Sequence, residues 1–261
     1  MITSLQNPAI RNIVKLSKSR ERREQHLFVI EGARELSLAL QSGYRVASVY
    51  ICRELFDKTK YPGVLDALPD TALFDISPAV FGKIAYRENS DGIVALAIPK
   101  SHRPVDLRLS DNPFVILLEA VEKPGNLGAV LRTADAAAVD AVIICDPQTD
   151  LYNPNVIRSG VGGLFTVQTA VCTSEEALAW LQQHQISIYA AELQAADFYQ
   201  DIDYRQPSAI VMGTEADGLT RFWLEHASRR IKIPMRGRID SLNVSVSTAI
   251  LTFEAMRQRG F

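Results

Sequence analysis

The second half of the chain repeats one pattern, in which a short and almost wholly apolar run is followed by a segment of helical period. The apolar runs cover residues 114–118, 141–145, 165–171, 186–191, 209–212 and 231–233. Helices are predicted over 126–138, 174–184, 219–227 and 243–259. Strands that are apolar on both faces are typical of a parallel sheet covered by helices on both sides. The alternation therefore predicts an α/β fold with a mostly parallel sheet.

A smaller α/β module precedes this pattern. Its predicted helices cover 4–25, 31–41 and the stretch opened by Ser77-Pro78, and its predicted strands cover 27–30, 46–51, 73–74 and 92–98. The next stretch, 99–112, is polar, contains prolines and lacks apolar periodicity, which is typical of a linker. We therefore predict one domain over 1–98, a linker over 99–112 and a second domain over 113–261.

The overall charge of the chain neither favours nor excludes a nucleic-acid partner. The 261 residues carry a formal net charge of −2, so RNA would have to be held by local basic patches. One candidate patch lies in the first predicted helix, where four cations follow one another at helical spacing: Arg11, Lys15, Lys18 and Arg22. On this evidence a solvated helix face is as good an explanation as a surface that contacts phosphates.

Two further features bear on location and cofactors. The first residues lack an apolar stretch of signal-peptide length, and no apolar run is long enough to cross a membrane. We therefore expect a cytoplasmic protein without a membrane partner. The three cysteines, Cys52, Cys145 and Cys172, are widely spaced and odd in number, which suits reduced thiols, and we expect no metal.

Three loops that follow predicted strands are unusually polar. The stretch 122–135 is a Gly-rich turn into a helix that carries Arg132, which either pairs with Asp135 or points into a pocket. The stretch 211–220 contains two glycines, and its acids Glu215 and Asp217 either cap the next helix or face a ligand. The third, 233–243, ends in more helix-capping side chains than one helix needs. Since all three leave the same kind of strand end, we expect them to converge on one crevice.

These loops carry a family resemblance. The stretches 126–132, 213–218 and 233–245 resemble, in order and separation, the three motifs of the SpoU/TrmH branch of the SPOUT RNA methyltransferases. The N-terminal module, with Phe28-Val-Ile-Glu-Gly32, is similar to the substrate-binding domain that many of these enzymes carry, which resembles RNA-binding ribosomal proteins. The resemblance implies a deep trefoil knot, S-adenosyl-L-methionine as cofactor, and a homodimer with its sites at the subunit interface. The implied reaction is methylation of a ribose 2′-hydroxyl in structured RNA, with ribosomal RNA favoured over tRNA by the appended domain.

Matching position to position, the resemblance implies the residues of the site. The catalytic positions are Asn126, Arg132, Glu215, Ser241 and Asn243. The methyl donor is expected at Met212, Gly213, Thr214, Glu215, Gly218, Ile233, Pro234, Met235, Leu242, Val244 and Ser245. Phosphate contacts are expected from Arg158, Arg236 and Arg238, together with the four cations of the first helix. Two departures from the family pattern are Lys123, where many relatives carry an acid or amide, and the Gly-rich stretch 159–165.

The chemistry and the competing functions follow from these residues. The family's usual assignment makes the arginine, here Arg132, the base, but a guanidinium stays protonated in proteins. We therefore favour Arg132 as an electrostatic clamp that polarises the 2′-hydroxyl.

Three other functions remain open: a tRNA 2′-O-methyltransferase, a non-catalytic RNA-binding protein and a nucleotide-dependent oxidoreductase. The oxidoreductase is suggested by Asp146, which follows the Gly-rich turn, but the glycine spacing does not match the dinucleotide-binding motif.

Overall fold

The computed structural model describes residues 1–68, 73–86 and 90–260, and it divides into two compact units. The first comprises Met1–Lys100 with Asp150–Thr166, and the second comprises Ser101–Thr149 with Val167–Phe261. The break near residue 100 falls inside the stretch 99–112, whereas the segment 150–166 groups with the first unit. Among the described residues, no helix combines the length and the apolar character that crossing a membrane requires.

Helices and strands are interspersed along the chain. The helices are α1 (Pro8–Lys15), α2 (Ser19–Gln25), α3 (Ala33–Gln41), α4 (Pro78–Ile84), α5 (Pro124–Ala136), α6 (Pro154–Gly160), α7 (Gly163–Thr166), α8 (Ser174–Gln183), α9 (Arg221–His226) and α10 (Val244–Arg259). The strands are β1 (Phe28–Glu31), β2 (Val46–Ile51), β3 (Leu73–Asp75), β4 (Ile93–Ala97), β5 (Phe114–Glu119), β6 (Ala141–Cys145), β7 (Thr169–Cys172), β8 (Ser187–Ala191), β9 (Asp197–Phe198), β10 (Ser208–Met212) and β11 (Arg229–Lys232).

The second unit contains the predicted parallel sheet. Its seven strands lie in the order β7-β6-β5-β10-β8-β11-β9, and every described pairing between them is parallel. The central strands β5, β6 and β10 are buried along their whole length, because helices cover both faces of the sheet. The α/β prediction is thus confirmed. Since the strands run in one direction, the loops that follow β5, β10 and β11 all leave the same edge of the sheet.

The first unit is built on a mixed sheet of four strands in the order β1-β4-β2-β3. Strand β4 runs antiparallel to both β1 and β2, while β2 and β3 are parallel. Helices α1 and α4 pack on one side around a core that includes Ile10, Ile13 and Phe81. This unit is an α/β module, as its sequence predicts.

The prediction of one helix over 4–25 was wrong, because the chain turns between α1 and α2. Lys18 has an extended backbone with φ −91° and ψ 134°, which no helical residue adopts. The Arg22 guanidinium donates to the carbonyl oxygens of Leu16 and Ser17 at 2.7 and 2.9 Å. Side-chain donors therefore satisfy carbonyl groups that the end of α1 leaves without helical partners.

The strand predicted over 165–171 was also wrong in its first part. Phe165 belongs to α7, and β7 begins only at Thr169. The Phe165 ring lies 5.1 Å from that of Tyr44 and 6.3 Å from that of Phe28, measured between centroids. Packing in the aromatic core of the first unit therefore outweighs the strand propensity of this residue.

Candidate active site

A cavity of about 440 Å³ lies at the C-terminal edge of the parallel sheet, within the second unit. The loop after β10, the loop after β11 and the first turns of α10 form its walls. Nine of the eleven residues expected to hold the methyl donor line it: Met212, Gly213, Thr214, Glu215, Gly218, Ile233, Met235, Leu242 and Val244. Pro234 and Ser245 are not among the lining residues, although each adjoins one in the sequence. Ser241 lines the cavity as well.

The loop after β10 folds into a tight hairpin. Thr214 N–H donates to the Gly218 carbonyl at 3.0 Å, and Gly218 N–H donates back to the Thr214 carbonyl at 3.2 Å. Gly218 has φ +69°, a conformation that favours glycine. A Cβ on Gly213 would lie closer than 3.0 Å to backbone atoms of Gly218 and Leu219. Only glycine therefore fits at 213 without moving the hairpin.

Glu215 is the centre of a polar cluster that joins all three loops. Its Oε1 accepts from Asn126 Nδ2 at 3.0 Å and from Asn243 Nδ2 at 2.5 Å, and its other oxygen pairs with the Lys123 ammonium. Asn243 Nδ2 also donates to Asn126 Oδ1 at 3.1 Å. Asn243 Oδ1 accepts from Ser245 N–H at 3.0 Å and so caps α10. Three of the five expected catalytic residues are thus in direct contact.

The other two expected catalytic residues lie apart from these hydrogen bonds. Arg132 is exposed on α5, and in the described part of the chain no hydrogen bond or ion pair engages its guanidinium. The pairing with Asp135 that we considered from the sequence is therefore not formed. Ser241 is exposed, and its hydroxyl lies 3.4 Å from Asp240 Oδ1. Of the five expected catalytic residues, Arg132 therefore has a charged group without a partner among the described residues.

The expected phosphate contacts divide into two groups. Six are exposed cations without an ion pair to any described residue: Arg11, Lys15, Lys18, Arg158, Arg236 and Arg238. Arg22 was predicted wrongly, because it is only 3% exposed and its guanidinium is bound by Asp150 at 2.6 Å. Helical spacing suggested a continuous surface stripe, but the turn between α1 and α2 directs Arg22 into the unit.

Two parts of the cavity wall were not predicted from the sequence. Glu192, Leu193 and Gln194 follow β8, and Ser247 and Leu251 lie on α10. The loop after β8 lacks the glycines that mark the loops after β5, β10 and β11 in the sequence. Strand β8 nevertheless lies between β10 and β11 in the sheet. Since parallel strands end at one edge of a sheet, the loop after β8 is expected in the cavity wall as well. Likewise, residues 244, 247 and 251 share one face of a helix by their spacing.

The cavity suits S-adenosyl-L-methionine in size and in chemistry. Its volume falls in the range of roughly 300–1,000 Å³ that is typical of small-molecule sites. Buried apolar side chains, among them Met212, Leu219 and Leu251, offer a surface for an adenine ring. The carboxylates of Glu192 and Asp217 also line the cavity, where they complement a ligand with a cationic sulfonium and ammonium.

Comparisons with known proteins find relatives that match nearly the whole chain. A family model described as the SpoU rRNA Methylase family matches residues 113–253, and one described as the MRM3-like substrate binding domain matches residues 7–95. The 23S rRNA (guanosine(2553)-2'-O)-methyltransferase RlmP of Bacillus subtilis (strain 168) is 30% identical over 97% of this chain and 97% of its own length. An uncharacterized tRNA/rRNA methyltransferase of Synechocystis is 30% identical over 99% of this chain and 94% of its own.

Solved structures give the same result. One described as an RNA 2'-O ribose methyltransferase is 40% identical, with a TM-score of 0.88 over 100% of this chain and 99% of its own. An AdoMet-bound rRNA methyltransferase from Sinorhizobium meliloti is 27% identical, with a TM-score of 0.89 over 98% of this chain and 97% of its own. Together with the matched models and the joined motif loops, these likenesses show that the chain belongs to the SpoU rRNA methylase family.

Proposed function

We propose that this protein transfers the methyl group of S-adenosyl-L-methionine to a ribose 2′-hydroxyl of large-subunit ribosomal RNA. The observation that carries the proposal is the cluster of Asn126, Glu215 and Asn243, which joins the three motif loops beside a cavity of suitable size. Membership of the SpoU rRNA methylase family supports the reaction class. The names of relatives such as RlmP and RlmB support 23S rRNA as the target molecule.

Each part of the site has a role in this reaction. When bound, the cofactor would supply an electrophilic methyl group and leave as S-adenosylhomocysteine. The chain would hold the ribose oxygen in line with that methyl group while the hydroxyl proton passes to solvent water. Asn126 and Asn243 are fixed by the Glu215 carboxylate, so their orientation is set before RNA binds. Ser241 lines the cavity two residues before Asn243 and is assigned to orienting the ribose.

Arg132 acts as a clamp in this proposal. Its exposed guanidinium is free to hold the phosphate next to the target ribose and to stabilise the developing alkoxide. Arg132→Lys keeps the charge but loses the planar fork, so kcat should fall by about 10²-fold while S-adenosyl-L-methionine binds as before. A variant that kept full turnover and full RNA affinity would contradict both the clamp and the base assignment.

The exposed cations are assigned to the RNA backbone. Arg236 and Arg238 lie on the loop between β11 and α10, while Arg11, Lys15 and Lys18 lie on the first unit. If they contact phosphates, the logarithm of RNA affinity should fall linearly with the logarithm of salt concentration, by about 0.7–0.9 per phosphate contacted. Affinity that did not change between low and moderate salt would contradict the assignment.

The knot, the homodimer and the cytoplasmic location also belong to the proposal. Helix α10 follows the loop after β11 and packs against α5 and β10, a path compatible with a threaded chain end.

Large apolar side chains are exposed on α10 and on the loop before it, among them Ile239, Val246 and Phe253. A two-fold interface would bury them beside the cavity. Sedimentation equilibrium should give a dimer at micromolar concentration, and a monomer would contradict this part.

Methyl transfer from tritiated S-adenosyl-L-methionine to purified rRNA and tRNA tests the reaction. Label should enter rRNA and survive alkaline hydrolysis as a dinucleotide, because a blocked 2′-oxygen cannot attack the adjacent phosphate. Asn126→Ala should lose most of the activity. The control is Asn112→Ala, which removes an amide that donates to the Arg205 carbonyl away from the cavity.

The same experiment separates the alternatives. Label in tRNA alone would identify the tRNA enzyme, and RNA binding without transfer would identify a non-catalytic binding protein. Calorimetry that detected NAD but not S-adenosyl-L-methionine would favour the oxidoreductase. Each of these results would overturn the proposal.

A further inference from the structure

A second pocket, within the first unit, has no part in the site described above. It measures about 190 Å³ and lies between α1, the end of α4 and α6. Sites for drug-sized ligands measure roughly 300–1,000 Å³, so this pocket suits a smaller group, such as one planar ring system. Its floor is apolar and buried, with Ile13, Ile84 and Ile157 among its residues.

The mouth of the pocket presents an aromatic ring with a guanidinium over it. Tyr86 is 49% exposed, which is a large exposure for an aromatic ring that lines a pocket. The Arg158 guanidinium carbon lies 5.8 Å from the centre of that ring, within the range of a cation–π contact. Tyrosine rings and arginine planes are the groups on which unpaired RNA bases stack.

The backbone at the mouth is held in place by a buried acid. Glu31 is 9% exposed and lines the pocket, and its Oε2 accepts from Tyr86 N–H at 2.7 Å. This hydrogen bond joins the end of β1 to the residue that carries the exposed ring. Tyr86 therefore projects from a fixed position, which lowers the entropy lost when a ligand binds.

The exposed charged residues that line the pocket in the described part of the chain are positive. Lys83 and Arg158 line it, and neither forms an ion pair with a residue that the structure describes. Lys15 and Lys18 flank the lining residue Ser17 in the sequence and are also exposed. The whole chain carries a net charge of −2, so this cluster of cations does not reflect bulk composition. It is complementary to phosphates on either side of an inserted base.

We propose that this pocket binds one unpaired nucleotide of the RNA substrate, with the base on Tyr86 and the neighbouring phosphates against Lys83 and Arg158. The inference rests on the proposed function, since it takes RNA as the substrate. It adds a requirement that the methyl-transfer site does not impose, namely a bulged or looped nucleotide in the RNA. The first unit would thus read RNA shape and not only its charge.

Two RNA hairpins test the proposal with the full-length protein. One carries a single bulged 2-aminopurine, and the other carries the same base within an unbroken stem. The bulged hairpin should bind more tightly, and its fluorescence should fall as the base stacks. Tyr86→Ala should weaken binding of the bulged hairpin by about tenfold, abolish the fluorescence change and leave the paired hairpin unaffected. Tyr86→Trp should behave as the wild type.

The matched control is Phe74→Ala. Phe74 is an exposed aromatic residue of the same unit, at 41% exposure, and it does not line the pocket. Equal binding of both hairpins by the wild type, or equal effects of Tyr86→Ala and Phe74→Ala, would overturn the proposal. If Tyr86→Ala does not fold, a 4-thiouridine at the bulge replaces it as the probe. Cross-links of that base to residues 83–86 or 154–158 support the pocket, and cross-links elsewhere overturn it.

Methyl-transfer assays on the same preparations keep the two proposals distinct. Wild-type protein that methylates rRNA but shows no preference for the bulge would overturn the pocket alone. Protein that prefers the bulge but transfers no methyl group to any RNA would overturn the proposed function and leave the pocket standing.

Discussion

Gly213→Ala is the sharpest test of the cavity, because a single methyl group would be placed against backbone alone. The new Cβ would approach the carbonyl group of Gly218 and the nitrogen of Leu219 to less than 3.0 Å. The three nearest atoms all belong to the backbone, which cannot swing aside as the end of a flexible side chain would. The hairpin closed by Thr214 and Gly218 must therefore open, and its two backbone hydrogen bonds must lengthen.

The size of the effect follows from the kind of clash. Overpacking at well-packed positions costs about 1–3 kcal/mol, and a backbone clash belongs in the upper half of that range. The hairpin is at the surface and can relax when the cavity is empty, so most of the strain falls on the cofactor-bound state. A penalty of about 2 kcal/mol corresponds to a loss of roughly 30-fold in affinity for S-adenosyl-L-methionine. The melting temperature of the free protein should fall by only a few degrees, about 2–4 °C for each kcal/mol.

Isothermal titration calorimetry with S-adenosyl-L-methionine measures this loss directly. The control is Gly237→Ala, in the neighbouring cavity loop, where an added Cβ has no atom within 4 Å. That variant should bind the cofactor as the wild type does. If Gly213→Ala and Gly237→Ala bind equally well, the hairpin does not form the wall of the cofactor site, and the reasoning fails.

Three further predictions follow from individual contacts. Arg22→Leu should lower the free energy of unfolding by about 3 kcal/mol in urea titrations, because it leaves a partly buried carboxylate without its partner, whereas the exposed Arg20→Leu should change it by less than about 1 kcal/mol. Equal losses would contradict the buried assignment. The Cys145 thiol donates a hydrogen bond to the Cys172 sulfur and lowers the pKa of Cys172, so iodoacetamide at about pH 7 should modify Cys172 first, and Cys145→Val should slow that modification. Mass spectrometry that found no change in rate would exclude this bond. Glu215→Gln should reduce kcat by about tenfold at saturating cofactor, because charge-assisted hydrogen bonds to two amides are lost; unchanged single-turnover rates would refute a positioning role.

The sequence predicts the parts of this molecule that depend on local period and strand direction. Runs such as 114–118 and 141–145 are buried strands because they are apolar on both faces, and the parallel sheet follows from the helices between them. The common edge of the three loops follows from that sheet. Deviations occur where a distant contact decides the local structure, as at Phe165, whose ring packs in the first unit, and at Arg22, whose partner Asp150 lies 128 residues away.

The sequence predicts which loops meet at the cavity, but it does not predict which side chains contact one another there. Sequence reasoning allowed Glu215 to cap the helix that starts near Thr220. In the structure no side chain caps that helix, and Glu119, at the end of β5, binds the residue before it, since it accepts from the N–H and the hydroxyl of Thr220 at 2.8 and 2.6 Å. Glu215 does not cap α9 and binds Asn126 and Asn243 instead.

Asn243 both caps a helix and takes part in the polar cluster. Its Oδ1 caps α10 through Ser245, while its Nδ2 donates to Glu215 and to Asn126. An amide has a donor and an acceptor on opposite sides, so one residue can start a helix and complete the cluster. Aspartate would cap equally well, but it would place a second carboxylate against Glu215, and serine would be too short to do both. The requirement for asparagine at this position therefore comes from the meeting of two loops, which no local pattern in either loop reveals.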